Sequence, residues 1–301
     1  MMTLAIRRCA ALAAIGLTAL GLATAGPTRA EVGFFGYVAV MCGHDDPGDS
    51  ATLTDYSAEV AGFTNANHVC LPGDPAHWAG HIATAAARFR PILSVEPVFD
   101  LTGDGPEGAA AAWFWDLLQR AITDSGIDPG QVIFYVADEP TLRGLDMERV
   151  NRAAGMLRTA YPAAEVLLVE ACSMAGPPPV PPELTLWGFD CYTIPDPADS
   201  PAYMTYLSLS RSRLAAGQRL VLVMDASHTP GHLDAGLPLE SMGDVALAYA
   251  RLALAQPDIA GVIGYTWAGG IDSVDERGVR NMPDRVIAAH RQAGLILLGR
   301  D

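Results

Sequence analysis

The sequence predicts a single-domain (β/α)8 barrel, the TIM barrel fold, on three observations. Eight short apolar, strand-like runs alternate along the chain with longer helix-like stretches. They occupy about 270 residues, the length that such a barrel takes. The first run is followed by Met41-Cys42-Gly43-His44-Asp45-Asp46, where a doubly wound open sheet, the competing fold, would carry a glycine-rich phosphate turn.

In order, the strands are expected at 34–41, 67–71, 91–99, 131–138, 165–170, 185–190, 219–225 and 259–267. Helices are expected near 53–64, 75–88, 107–125, 146–160, 200–216, 241–255 and 283–297. The fifth connection stands apart. Its run Gly176-Pro177-Pro178-Pro179 with Pro181 and Pro182 lacks the backbone donors of a helix, so it should be non-helical and Pro-rich. No stretch resembles an interdomain linker, and residues 31–301 read as one domain.

Residues 1–30 have the layout of a secretory signal peptide. Arg7 and Arg8 precede an apolar stretch from Cys9 to Ala23, and small residues follow at Ala23-Thr24-Ala25 and Thr28-Arg29-Ala30. Cleavage after Ala25 or Ala30 would give a secreted or periplasmic chain. The whole sequence carries 34 acidic and 19 basic residues, a formal charge of −15. All the basic residues are arginine, which excludes lysine Schiff-base chemistry, lysine-anchored pyridoxal phosphate and a Walker-type loop. With no basic run, neither nucleic acid nor an anionic membrane is an expected partner. Export would remove Cys9 and leave Cys42, Cys70, Cys172 and Cys191, an even set suited to disulfides. In a barrel these lie at the ends of neighbouring strands one and two, and five and six. The expected pairs are 42–70 and 172–191.

A barrel builds its active site at the C-terminal ends of its strands, and here those ends are acidic. Strand three carries Glu96, strand four ends in Asp138-Glu139-Pro140, strand five in Glu170, strand six in Asp190-Cys191-Tyr192 and strand seven in Asp225. Strand eight ends in Tyr265-Thr266-Trp267. Alternation of side chains supports an inward direction for Glu96, Asp190 and Asp225, because it sends the bulky apolar neighbours toward the helices. On strand four it favours Glu139, and Asp138 then has the opposite parity unless the strand bends. One such acid is commonly a helix cap, whereas acids at five strand ends of one mouth point to binding or chemistry.

These strand ends resemble the (β/α)8 retaining glycoside hydrolases of the cellulase and β-galactosidase superfamily. There the fourth strand ends in Asn-Glu-Pro, with Glu as the acid/base, which aligns with Glu139 of Asp138-Glu139-Pro140. The resemblance implies Asp225 in the place of the nucleophilic Glu, and Trp267 under the sugar. Asp138 departs from the Asn, and Asp225 is one methylene short, which leaves retaining and inverting outcomes open. The Asp138-Glu139 pair also resembles the dyad of substrate-assisted hexosaminidases, in which Asp225 would bind substrate. Both likenesses imply a carbohydrate substrate and no cofactor, with Glu139 catalytic; the first makes Asp225 catalytic as well, and Asp138, Glu96, Glu170, Asp190, Tyr192, His228 and Trp267 are read as substrate contacts. A third reading is a non-catalytic carbohydrate-binding protein on a degenerate barrel. No metal is expected, since neither the cysteine spacings nor His77 and His81 match a zinc pattern. His228 is read as a substrate contact, although His228 and His232 also share an i, i+4 spacing that a metal could use.

Overall fold

The strands observed in the computed structural model, which describes residues 32–300, are β1 Phe34–Tyr37, β2 Ala66–Cys70, β3 Arg90–Ser94, β4 Ile133–Asp138, β5 Glu165–Ala171, β6 Leu186–Asp190, β7 Arg219–Asp225 and β8 Ile259–Tyr265. The expected signal at residues 1–30 lies outside the described residues. All eight strands pair in parallel, in sequence order from β2 to β8 and then from β8 to β1. Helices follow them: α1 Ser57–Val60, α2 Trp78–Ala86, α3 Ala109–Ser125, α4 Met147–Ala160, α5 Pro201–Arg213, α6 Pro230–Asp234, α7 Met242–Ala255 and α8 Asp284–Leu297. The chain is a single-domain (β/α)8 barrel. No helix among the described residues is long and apolar enough to cross a membrane.

The period-two alternation of the strands builds two layers of core. Phe34, Ile92, Ile133, Leu167, Leu186, Val221 and Ile263 fill the barrel. Leu93, Phe134, Leu168, Trp187, Leu222 and Val262 face the helices. Gly261 lies against the ring of Phe34, where an added Cβ would come within 2.3 Å, so its missing side chain is what admits that ring.

Between β1 and β2, side chains replace part of the strand ladder. The Asn65 and Asn67 carboxamide oxygens accept from the backbone N–H groups of Phe35 (2.8 Å) and Tyr37 (3.0 Å). Gly36 permits this approach, since a Cβ there would fall 1.5 Å from the Ala66 carbonyl oxygen. Asn67 is fully buried and also donates to Thr64. Asn67→Ala should therefore orphan a buried N–H and cost about 1–3 kcal/mol, read as a lower midpoint in denaturant unfolding.

Three elements differ from expectation for local reasons. The third strand stops at Ser94, and Glu96–Val98 forms a 3-10 turn around Pro97, which has no N–H for the ladder. The first strand stops at Tyr37, before Ala39 adopts a φ of +59°. The first helix keeps only four residues, Ser57–Val60. The sequence reading also missed α6, inserted between β7 and α7. The fifth connection is non-helical, as its prolines require.

Both disulfides, Cys42–Cys70 and Cys172–Cys191, are formed, with Cα atoms 4.4 and 5.5 Å apart. The second closes a loop of about 20 residues around the Pro-rich connection, beside Asp190. In the chain-entropy view, its removal by Cys172→Ser with Cys191→Ser should lower stability by about 3 kcal/mol, checked by thermal unfolding.

Candidate active site

The C-terminal mouth of the barrel holds a pocket of ≈ 360 Å³. Its floor is the uppermost inward layer of the strands, including Ile92, Val169, Val223 and Ile263. Asp138, Glu139, Asp190, Tyr192, Tyr265 and Asp272 line the pocket as well, together with His68 and the cysteines of the Cys42–Cys70 disulfide.

A β-bulge in β4 brings two consecutive acids to this wall. Tyr135 pairs with Leu167 and Ala137 with Leu168, so Val136 is the extra residue. The inserted residue reverses the parity beyond it, and Asp138 comes opposite the inward-facing Val169. The hydroxyl of Tyr135 donates to the Asp138 carboxylate. Glu139 then turns with a φ of +42°, a left-handed conformation that non-glycine residues seldom adopt. Several bonds hold it there. Its N–H donates to the Val169 carbonyl at 2.8 Å, its own carbonyl accepts from the Arg143 N–H at 3.0 Å, and Leu145 N–H donates to the Pro140 carbonyl at 2.8 Å.

Two acids expected to meet substrate serve this turn instead. Glu96 does not line the pocket. Its carboxylate accepts from the Asp138 N–H at 3.1 Å and forms a two-point ion pair with Arg143. Glu170 is 1% exposed and accepts from the Thr141 N–H at 3.3 Å, so it holds the residues after Glu139 from behind. Burial pushes the Glu170 carboxyl above its ordinary pKa.

Glu139 and Asp190 both line the pocket, and their carboxyl groups are close enough to shift each other's ionisation. Asp190 is held up to about 8 by burial and then by the charges of Glu139 and Asp138. Burial and the Asp138 charge also raise Glu139. The pair thus keeps a proton through neutral pH. The Tyr192 hydroxyl donates to Asp190 at 3.1 Å, favouring its carboxylate form. Asp138 is raised by burial and by the Glu96 charge, against the opposing bond from Tyr135.

The remaining expected residues stand away from the pocket wall. Asp225 has the predicted inward parity, but it is fully buried, bonded to His232 and to the Thr193 N–H. His228 is buried beneath the loop after β7, its Nε2 3.1 Å from the Leu237 carbonyl oxygen. Trp267 packs on the helix side against Tyr37 and Phe63 and donates from Nε1 to Glu59 at 2.6 Å. The tyrosines at the pocket are Tyr135, Tyr192 and Tyr265, the last two with ring centres 5.7 Å apart.

Residues that the sequence reading did not single out complete the wall. Tyr265 and His68 face inward by the same alternation as Ile263 and Ala66, so parity alone could have found them. His68 is pulled down to about 4 by burial and is neutral at physiological pH. The Ala39 N–H donates to its Nδ1 at 3.2 Å, which leaves the ring proton on Nε2. Cys42, His68 and Cys70 converge as a metal set might, but both sulfurs are consumed in the disulfide. Asp272 arrives on the loop after β8, which Glu276 fixes by accepting from the Ile271 (2.8 Å) and Asp272 (3.2 Å) N–H groups. Nothing in the local sequence marks that approach.

No family model and no curated protein matches the chain. Solved structures do. A GH113 β-1,4-mannanase superposes with a TM-score of 0.54 at 12% identity, over 88% of this chain and 99% of that one. Xylanase 10B from Thermotoga maritima gives 0.54 at 12% identity, over 89% and 96%. A GH128 (subgroup I) endo-β-1,3-glucanase from Amycolatopsis mediterranei, in complex with laminaritriose, gives 0.53 at 13% identity, over 87% and 99%. The chain therefore has the (β/α)8 barrel fold on which these glycoside hydrolases are built.

Proposed function

We propose that the protein is an exported glycoside hydrolase that cleaves O-glycosidic bonds in the pocket at the barrel mouth. The observation that carries this reading is the proton-retaining Glu139–Asp190 pair beside Asp138. Glycosidic cleavage needs a proton for the departing oxygen and a carboxylate near an oxocarbenium-like carbon. Glu139 delivers the shared proton, and Asp190 keeps that proton available at neutral pH. Asp138 supplies the negative charge. The barrel likeness to a mannanase, a xylanase and a glucanase supports a carbohydrate substrate. The two disulfides support export to an oxidising compartment.

With Asp225 enclosed, Glu139 and Asp225 do not make the acid and nucleophile pair of a retaining enzyme. The inward turn of Asp138 favours a second reading within the same class: substrate assistance. There the carbonyl oxygen of a 2-acetamido group attacks the anomeric carbon, Asp138 orients the amide N–H, and Glu139 protonates the leaving oxygen. A panel of chromogenic and oligomeric glycosides tests both. Turnover confined to 2-acetamido sugars selects assistance, and turnover of 2-hydroxy sugars rejects it. Oligosaccharide binding without turnover of any glycoside would support the carbohydrate-binding reading.

A further inference from the structure

Asp225 and His232 make a buried centre that the reaction chemistry leaves unused, and its bonds lead back to the pocket. The Thr229 N–H donates to Nδ1 of His232 at 3.1 Å, so that nitrogen is an acceptor and the ring proton sits on Nε2. Nε2 lies 3.1 and 3.0 Å from the two Asp225 oxygens and donates to them. One of those oxygens also accepts from the Thr193 N–H at 2.8 Å. Thr193 has a φ of +61°, a left-handed turn that a threonine holds only with support. Its neighbour Tyr192 is the residue whose hydroxyl donates to Asp190. Between Asp225 and His232, Ser227 and His228 pair antiparallel with Gly278 and Arg277, which follow the Asp272 loop.

We propose that Asp225 is a positioning residue, which with His232 holds the turn after β6 so that Tyr192 keeps its hydrogen bond on Asp190. This rests on the glycosidase reading of the pocket, and it assigns Asp225 a role distinct from that of a nucleophile. One Asp225 oxygen meets both donors, so in Asp225→Asn an uncharged amide oxygen can still face both, but the NH2 group then stands where the second oxygen was, against the His232 Nε2–H, and the carboxylate charge is gone, which weakens the hold on the turn. The turn then loosens and Tyr192 leaves Asp190. The charged groups facing Asp190 are Glu139 and Asp138, so loss of the tyrosine donor leaves repulsion unopposed.

The test is a carboxyl ¹³C NMR titration of the full protein beside Asp225→Asn, Tyr192→Phe and the double variant, with circular dichroism to establish folding. Tyr192→Phe should move the upper titration of the Glu139–Asp190 pair upward by about one pKa unit. Asp225→Asn should move it in the same direction, and the double variant no further than either single one. In kinetics, Asp225→Asn should lower kcat and leave KM nearly unchanged. If Asp225→Asn does not fold, His232→Gln provides the second arm, with a smaller shift of the same sign. An unchanged titration in folded Asp225→Asn overturns the proposal, whether or not turnover is lost. The titration needs no substrate. Failure of the glycosidase reading would appear separately, as absent turnover in the wild type.

Discussion

Glu139→Gln is expected to lower kcat on glycosides of poor leaving groups by about 10²–10⁴-fold, the range that positioned general acids contribute. Gln has no acidic proton to give, and the ionisable partner that Asp190 shares a proton with is replaced by an amide that holds none for transfer. The loss should depend on the leaving group. An aryl glycoside that departs as a stable phenolate needs little protonation and should retain most of its rate, whereas an alkyl glycoside or an oligosaccharide should lose nearly all. Steady-state kinetics on both substrate types, with folding checked by circular dichroism, make the comparison.

Asp190→Asn should have opposite effects on activity and stability. In the fold Asp190 titrates at about 8, far above the ordinary aspartate value near 3.9. The folded state therefore binds this proton more tightly than the unfolded chain. Its stabilising effect is complete below the unfolded pKa, declines as pH rises and is lost on passing about 8. Replacement by Asn removes an ionisation that opposes folding, so the melting temperature should rise at pH 7–8, and its decline with pH should flatten. Turnover should fall, because Glu139 loses the partner that keeps a proton in the pair. Wild-type activity should also decline on the alkaline side as the pair gives up that proton, while in the Asn variant the limb is set by Glu139 alone and should lie at lower pH. Melting curves and pH–rate profiles from pH 5 to 9 test both parts, and an unchanged melting temperature would contradict the electrostatic account.

The fold was legible in the sequence because barrel strands and helices leave different periods, and eight alternations fit one closed arrangement. The pairing of Cys42 with Cys70 and of Cys172 with Cys191 followed from strand neighbourhood alone. Parity placed Asp190 at the pocket, and it also gave Asp225 its inward direction. What parity lacks is depth. It could not show that Thr193 and α6 close over Asp225, because loop shape is set by long-range bonds such as His232 to Asp225. Glu96 and Glu170 lie near the strand ends as expected, yet their oxygens are occupied by the backbone behind Glu139. The Asp138-Glu139 conflict was visible as a parity problem, and its solution, one extra residue at Val136, was not. Trp267 follows the last residue of β8 by two, but its ring packs beneath the helices, and Tyr265 stands at the pocket instead.

The central claim is that Glu139 protonates a departing glycosidic oxygen in this pocket. The most direct measurement compares wild type and Glu139→Gln across one series of aryl glycosides whose leaving phenols span several pKa units, on the sugar that the panel selects. The account predicts a shallow dependence of log(kcat/KM) on leaving-group pKa in the wild type and a steep one in the variant, the two lines converging at the most acidic phenols. Parallel lines of equal slope, or a wild type that binds oligosaccharide and releases no phenol from any member, would contradict it.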